Sequence, residues 1–227
     1  MNKTYFITSS GTEIGKTFIT CSINHELTKQ GHKVKSIKPI ISGWEEHNQQ
    51  TDTIQIIQSL KLEENIANID HISPWRFVEP LSPDMAARKE NRKINIDEVV
   101  QYCKSSCTGK INFIEGVGGA MVPINEKYTV LDWIKMLDIP AIVVTGTYLG
   151  SMSHTLTTLE ALKSANIPVK SLILNETKDS SVSLEETHIS LKPFIGNIDI
   201  IPIKYIQHED PWKYNEQIKN YLPKLLA

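Results

Sequence analysis

Apolar residues follow two patterns that alternate along the chain. Short continuous apolar runs predict β-strands buried on both faces, and segments with apolar residues three or four positions apart predict helices. The strands are predicted at residues 5–8, 34–37, 111–114, 141–144, 171–174 and 198–203. The helices are predicted at residues 18–31, 52–60, 85–89, 96–107, 130–137, 152–164, 184–192 and 212–226. Residues 73–83 contain three prolines, which predict an irregular connection.

Regular alternation of strands and helices predicts an α/β fold with a mostly parallel sheet and helices on both faces. In such a sheet, ligands bind at the carboxyl ends of the strands. We find no repeat and no linker, so the sequence predicts a single domain over residues 1–227, a length that can bury a full core.

The composition indicates which kinds of partner and which cellular location to expect. The formal net charge of −2 provides no basic surface, so a nucleic acid is not expected as a partner. We see no apolar segment of the kind that targets or anchors a protein to a membrane, so we expect no membrane partner and a cytoplasmic location. The three cysteines, Cys21, Cys103 and Cys107, lack the further ligands of a zinc site and are interpreted as packing residues.

The segment from Ser9 to Thr17 lies between the first predicted strand and the first predicted helix. Its glycines and the helix behind it turn backbone N–H groups towards one point, as in a P-loop that binds phosphates. Lys16 would then bind the outer phosphates and the Thr17 hydroxyl would ligate Mg²⁺. Ser10 stands where the P-loop pattern has glycine, but Gly11 offers the required freedom one position later. The alternative is a chance Gly-Lys-Thr at a helix start.

Polar residues also follow other predicted strands. Glu115 directly follows the strand predicted at 111–114, which is a typical place for a carboxylate that holds Mg²⁺ directly or through water. The glycines at 116 and 118 would let the backbone approach the phosphates. Lys38 is a candidate second cation for phosphoryl transfer. Asp52 is either a metal ligand or an ordinary helix-start residue, and each of the others could be a solvated surface group.

The residues after the strand predicted at 171–174 indicate which nucleotide base is bound. A GTPase would carry Asn-Lys-x-Asp there, whereas residues 175–179 read Asn-Glu-Thr-Lys-Asp, which favours ATP over GTP. The Asn175 amide can donate to and accept from adenine, although asparagine is also common in turns.

Five segments together resemble the dethiobiotin synthetases: residues 11–17, 38–43, 79–83, 115–119 and 149–150. The resemblance is collinear from the first strand to about Pro202. It implies an enzyme that uses Mg²⁺ and ATP to close a cyclic urea on 7,8-diaminopelargonic acid with CO₂. The implied intermediates are a carbamate and a phosphorylated carbamate, and the implied by-products are ADP and phosphate.

The resemblance also implies roles for individual residues. Thr12, Lys16 and Lys38 would be catalytic, and Thr17, Asp52 and Glu115 would hold the metal. The nucleotide and metal would be bound by Glu13, Ile14, Gly15, Lys16, Thr17, Asp52, Glu115, Gly116, Val117, Gly118, Asn175, Glu176 and Pro202. The diamine substrate would be bound by Glu13, Ser42, Gly150, Ser151 and Met152.

Members of this family are homodimers, so the resemblance implies a dimer with each site at the subunit interface. The helix start at residues 150–153 of one subunit would receive the substrate carboxylate of the other. Ser153 departs from the asparagine expected there, which leaves side-chain recognition of the carboxylate open.

Three other classes share parts of this pattern. A partitioning or metal-cluster-assembly ATPase would place a signature lysine early in the loop, where Ser9 and Ser10 stand. A non-catalytic nucleotide-binding regulator would not need the full set of charged residues. An amidating enzyme of the cobalamin pathway would need a glutaminase domain that 227 residues cannot hold.

Overall fold

The computed structural model describes residues 2–46 and 48–226. Met1, His47 and Ala227 lie outside the described residues, so the ends of the predicted domain are not described. The strands are β1 (Lys3–Ser9), β2 (Val34–Ile37), β3 (Ile40–Ser42), β4 (Trp75–Phe77), β5 (Ile111–Glu115), β6 (Ala141–Gly146), β7 (Val169–Asn175) and β8 (Asp199–Ile203).

Six strands form one sheet in the order β2-β5-β1-β6-β7-β8, and every neighbouring pair is parallel. Parallel neighbours require a crossover connection, and helices supply it here. The carboxyl ends of the strands therefore meet at one edge of the sheet. The prediction of a parallel α/β fold of the P-loop type is confirmed.

The helices lie on both faces of this sheet. They are α1 (Lys16–Lys29), α2 (Asp52–Ser59), α3 (Ile66–Ile72), α4 (Pro83–Lys89), α5 (Ile96–Ser106), α6 (Val130–Leu137), α7 (Ser151–Ser164), α8 (Leu184–Leu191) and α9 (Gln217–Leu226). Short 3₁₀ helices lie at Lys192–Phe194 and Pro211–Tyr214. Within residues 2–46 and 48–226, the helices are too short or too polar to cross a bilayer.

Successive residues of β1 divide the core into two halves. Phe6 belongs to a buried cluster with Val99 of α5 and Trp133 of α6, and its ring meets the Trp133 ring edge to face. Ile7 belongs to the cluster on the opposite face, with Ile23 of α1 and Ile218 of α9. Both faces of β1 are thus covered, as its unbroken apolar run predicts.

Between residues 38 and 83 the sequence predicts helix α2 correctly but not the short elements around it. The prediction that residues 73–83 form an irregular connection is wrong for β4, which pairs in parallel with β3 as a separate two-stranded sheet. Strands of three residues are too short to show a period, and prolines flank both. Helix α3 was also missed, and the C-terminal helix predicted at 212–226 is divided into a 3₁₀ turn and α9.

The three cysteines are free thiols, with Cys21 and Cys103 buried and Cys107 partly buried. Burial raises the pKa of the Cys107 thiol to about 11. A buried, protonated thiol packs as a small apolar group, in agreement with the interpretation of these residues as packing residues.

Candidate active site

A cavity of about 740 Å³ opens at the carboxyl edge of the sheet; we call it the main cavity. Its wall combines the P-loop, the segment after β2, the start of α2, the loop before α4 and the loop after β5. It is lined by Thr12, Glu13, Gly15, Lys16, Thr17, Lys38, Ile41, Ser42, Gly43, Asn48, Gln50, Thr51, Asp52, Pro80, Leu81, Ser82, Pro83, Val117, Gly118 and Val122.

The P-loop places Lys16 at the first position of α1, behind Gly15 in a left-handed conformation with φ of 93°. The Lys16 side chain is buried, and its Nζ donates to Ser9 Oγ at 3.2 Å. Burial, followed by the nearby ammonium of Lys38, lowers the pKa of Lys16 to about 8. Phosphate oxygens in the cavity would offset both effects, so Lys16 is poised to bind an anion.

Ser10 explains how the P-loop tolerates a residue other than glycine at its start. Ser10 N donates to Val144 O at 3.1 Å, and Ser10 Oγ is 2.9 Å from the hydroxyl of Thr145. Ser10 is thereby fixed to the end of β6. The prediction that Gly11 supplies an unusual backbone conformation is wrong: the positive φ angles of the loop are those of Glu13 (58°) and Gly15 (93°). Gly11 is close-packed instead, since a Cβ there would lie 3.0 Å from Ile14 Cδ1.

Lys38, Glu115, Asp52 and Thr17 converge at the base of the main cavity. Ile37 of β2 lies opposite Ile114 of β5, so the next residues, Lys38 and Glu115, lie side by side at the carboxyl ends of these strands. Lys38 Nζ donates to Glu115 Oε1 at 2.8 Å and to a carboxylate oxygen of Asp52. Thr17 Oγ1 donates to Glu115 Oε1 at 2.6 Å, so helix α1 joins the same cluster.

Burial and pairing act in opposite directions on the charges of this cluster. Burial alone would lower the pKa of Lys38, but Asp52 and Glu115 raise it above its ordinary value. Burial alone would raise the pKa of Asp52, but the Lys38 ammonium holds it below its ordinary value. Lys38 and Asp52 therefore stay charged near neutral pH.

The oxygen atoms of this cluster fit a magnesium ion. Thr17, Asp52 and Glu115 offer one hydroxyl and two carboxylates, which are ligands that Mg²⁺ accepts. Glu115 Oε2 is buried and has no hydrogen-bond partner, which is costly unless a further cation or donor meets it. Within residues 2–46 and 48–226, no group of three or more His, Cys, Asp and Glu side chains forms a metal cluster, so this smaller oxygen set carries the assignment.

A second cavity of about 320 Å³, which we call the side cavity, adjoins the P-loop. Asn175 Nδ2 donates to the carbonyl of Ile14 at 3.0 Å, so its amide oxygen is left for a ligand. Glu176 accepts from Tyr205 N at 2.9 Å and ties the loop after β8 to this cavity. The lining is Glu13, Ile14, Gly15, Phe18, Asn175, Glu176, Thr177, Lys178, Tyr205, Ile206 and Pro211.

Comparison with known proteins identifies the family. A family model described as AAA domain (AAA_26) matches residues 3–208. The chain is 37% identical over 199 residues to the ATP-dependent dethiobiotin synthetase BioD of Acidiphilium cryptum, covering 85% of this chain and 88% of that relative. The chain belongs to the dethiobiotin synthetase family. The corresponding enzyme of Legionella pneumophila (strain Paris) is 37% identical over 187 residues, which covers 81% of this chain and 85% of that relative.

Solved structures show the same fold at lower sequence identity. A ParA family ATPase from Chlorobium tepidum superposes with a TM-score of 0.56 at 16% identity, over 99% of this chain and 95% of that chain. The MinC:MinD cell division complex of Aquifex aeolicus also gives 0.56, at 19% identity, over 95% of this chain and 87% of that chain. These likenesses support the P-loop fold alone.

The structure brings together most of the site residues that were predicted from the sequence. Glu115 and Gly116 lie behind the main cavity wall: Glu115 is fully buried, and a Cβ on Gly116 would lie 2.7 Å from the Phe6 ring. Gly116 is therefore explained by packing. Pro202 lies within β8 and lines neither cavity. The roles of these residues in this dethiobiotin synthetase remain predictions.

Gly150, Ser151 and Met152 line neither cavity of the single chain. Gly150 has φ of 94° before the first turn of α7, and Met152 is 39% exposed. Their predicted role requires a second subunit and also remains a prediction.

Sequence reasoning missed several residues that line the cavities. In the main cavity these are Ile41, Asn48, Gln50, Thr51 and Val122, of which Ile41 belongs to the unpredicted strand β3. In the side cavity they are Phe18, Thr177, Lys178, Tyr205, Ile206 and Pro211. The position of Phe18 directly after the P-loop threonine could have predicted its place in the side cavity. The loop after β8 had none.

A third cavity of about 550 Å³ lies between α4 and residues 124–127. It contains none of the predicted site residues, so the family activity does not account for it.

Replacing Gly15 with alanine is expected to weaken nucleotide binding by more than about tenfold. A Cβ there would overlap Asn175 Nδ2, and the positive φ adds strain of about 1 kcal/mol. Gly31→Ala is the matched control, because Gly31 has φ of 81° but nothing within 4 Å of its Cβ position. It should cost similar stability and leave nucleotide affinity unchanged. Equal affinities for the two variants, measured by calorimetric titration, would contradict the expectation.

Proposed function

We propose that this protein catalyses the ATP-dependent closure of 7,8-diaminopelargonic acid with CO₂ to dethiobiotin, a cyclo-ligase reaction. The family relationship supports the overall reaction. One structural observation carries the proposal furthest: Lys16 and Lys38 line one cavity, and Lys38 contacts the cluster of Asp52, Glu115 and Thr17 at its base. This is a constellation for phosphoryl transfer.

The proposed reaction has three steps. One amine attacks CO₂ and loses a proton, which gives a carbamate. A carbamate oxygen attacks the γ-phosphorus of ATP, and the bond to the bridging oxygen of ADP breaks. The second amine then attacks the carbamate carbon, and phosphate leaves with the bonding electrons as the urea ring closes.

The charged side chains act on the second step. Negative charge moves from the carbamate oxygen to the bridging oxygen of ADP, and preorganised cations lower the energy of that charge distribution. Lys16, at the start of α1, serves the phosphates that the P-loop binds. Lys38 lines the same cavity, as do Ser42 and the loop at 80–83, and is proposed to serve the acceptor side.

The polar residues of the loop and the small sheet orient the acceptor. Thr12, Glu13 and Ser42 line the main cavity and are proposed to border the diamine or its carbamate. Holding the acceptor near the phosphorus removes much of the entropic part of the barrier.

A bound Mg²⁺ would supply charge neutralisation for the phosphate oxygens. Thr17, Asp52 and Glu115 are proposed to hold it, directly or through water. Asp52 keeps 36% of its side chain exposed and lines the main cavity. The Glu115 side chain is fully buried and contacts Lys38 and Thr17.

Glu115→Gln is expected to raise the Mg²⁺ concentration needed for half-maximal turnover by about tenfold or more, because the neutral amide keeps the shape and loses the charge. The measurement is a Mg²⁺ titration of ADP release at constant ATP. Glu126→Gln, which removes an exposed carboxylate, is the control. An unchanged titration in Glu115→Gln would refute the metal role.

The base of ATP is proposed to occupy the side cavity. Asn175 and Glu176 line it, and the Asn175 amide oxygen can accept from the adenine amino group. Phe18 and Tyr205 add aromatic surface to the same cavity, which suits a purine ring.

A homodimer is proposed to complete the substrate site. Helix α7 has 14 residues, and its first turn, with Gly150, Ser151 and Met152, would present N–H groups to the substrate carboxylate in the partner subunit. Leu149 beside it is 84% exposed, and a second subunit that binds here would cover it. The proposed setting is the cytoplasm, and the proposed partners besides the second subunit are small molecules.

The deciding experiment measures ADP release from Mg²⁺-ATP with and without diaminopelargonic acid and bicarbonate, and identifies the organic product by mass. Dethiobiotin formed in equal amount to ADP is the expected result. ATP turnover that ignores the diamine would replace the proposal with a partitioning-type ATPase. Nucleotide binding without turnover would replace it with a regulator.

A further inference from the structure

Lys38 lies where a bound cation is expected. Its Nζ contacts a carboxylate oxygen of Asp52, Glu115 Oε1 at 2.8 Å and Thr17 Oγ1 at 3.5 Å. These are the same three side chains to which the magnesium ion is assigned above. We propose that the Lys38 ammonium is an internal cation that holds this oxygen set in the metal-free protein, and that a divalent ion binds by displacing it.

The proposal rests on the metal-binding residues given under the proposed function. The proposal adds a second role for Lys38: in the metal-free protein its ammonium competes with the metal for the same oxygen atoms. Pairing with the carboxylates and assisting phosphoryl transfer would require two different positions of the Lys38 side chain.

The charges of the cluster make an internal cation necessary. Glu115 is fully buried, and Lys38 keeps only 6% of its side chain exposed. Two carboxylates brought this close repel each other, and a buried carboxylate without a partner is strongly destabilising. The ammonium supplies the compensating charge when no metal is bound.

The ammonium and the metal cannot both bind these oxygens closely. Mg²⁺ binds oxygen at about 2.0–2.1 Å, so an ammonium that keeps its contact with the same oxygen would lie only a few ångströms from the ion. Like charges at that separation repel strongly in a buried site. Metal entry must therefore move Lys38 Nζ away from Glu115 or Asp52.

The main cavity offers Lys38 another partner. Lys38 and Lys16 both line it, and their mutual repulsion is part of what lowers the pKa of Lys16. Phosphate oxygens there would attract the displaced ammonium. Nucleotide and metal should then bind with positive coupling, because each removes part of the cost of binding the other.

The test measures binding of Mn²⁺ alone, without nucleotide, from the electron paramagnetic resonance signal of the free ion. Lys38→Met is expected to bind Mn²⁺ at least about tenfold more tightly than the wild type, because the competing charge is gone. Lys35→Met is the matched control: Lys35 is an exposed lysine of β2, three residues before Lys38, and its Nζ bonds Thr108 Oγ1. Its affinity should change by less than about threefold.

Thermal unfolding gives a second readout that does not depend on activity. Without metal, Lys38→Met should melt at a lower temperature than the wild type, because its carboxylates are left unpaired. Saturating Mn²⁺ should raise its melting temperature more than it raises that of the wild type. Adding Asp52→Asn to Lys38→Met should abolish the gained Mn²⁺ affinity, which places the ion in the cluster.

Equal or weaker Mn²⁺ affinity in Lys38→Met overturns the proposal. If that variant does not fold, Lys38→Gln is measured instead with the same expected direction, since its amide can hydrogen bond one carboxylate. The proposed function fails separately, if the wild type forms no dethiobiotin. The assigned metal ligands fail separately too, if Asp52→Asn and Glu115→Gln leave the Mn²⁺ affinity of the ATP complex unchanged.

Discussion

Lys38→Met is expected to lower kcat by more than about a hundredfold while the KM for ATP stays within a few fold of the wild type. The reason is that the Lys38 charge is needed mainly when negative charge develops on the transferred group and its acceptor. Initial rates of ADP and dethiobiotin formation at saturating substrates measure kcat, and an ATP series measures KM.

Lys35→Met is the control for Lys38. It removes an exposed lysine of β2 three residues earlier, whose Nζ bonds only Thr108 Oγ1 among the described contacts. Its kcat should be close to that of the wild type. If Lys38→Met raises the KM for ATP and leaves kcat unchanged, Lys38 binds the ground state and has no special part in phosphoryl transfer.

Lys16→Ala is expected to abolish phosphoryl transfer, with a loss of more than about a thousandfold in kcat/KM for ATP. Lys16 is the buried cation of the P-loop, and Ser9 Oγ is the only side-chain partner that competes with phosphate for its Nζ among the described contacts. The measurement is single-turnover formation of ADP in the presence of the diamine and bicarbonate.

The matched control for Lys16 lies on the same helix. Lys29→Ala removes an exposed lysine from the last turn of α1, far along the chain from the P-loop. It should leave turnover within a few fold of the wild type. Turnover at that level in Lys16→Ala would mean that Ser9–Thr17 does not bind the phosphates.

The main sheet could be predicted because its strands are long, apolar and regularly separated by helices. The residues that extend from its carboxyl edge could be predicted for the same reason. Parallel strands bring Lys38 and Glu115 to one edge regardless of how the side chains turn. The direct contact of Lys38 with Asp52 and Glu115 could not be predicted, because it depends on side-chain rotamers and on where α2 begins.

Two contacts between distant parts of the site had no usable sequence signal. Strands β3 and β4 have three residues each and pair across more than thirty positions of chain, so local patterns say nothing of their contact. Tyr205 reaches the side cavity through a backbone bond to Glu176, a contact between loops that periodicity does not encode. Both failures concern long-range pairing of short irregular segments.

The separate sheet of β3 and β4 gives the enzyme a division of labour. The side of the main cavity where we propose that the phosphates bind is built by α1 and the ends of β1 and β5, whereas Ile41, Ser42 and Pro80–Pro83 come from the small sheet and its loops. A change of acceptor molecule could therefore be engineered within residues 40–43 and 75–83. If the acceptor binds there as proposed, the P-loop half would stay as it is, and the choice of substrate and the source of energy would lie in separate parts of the chain.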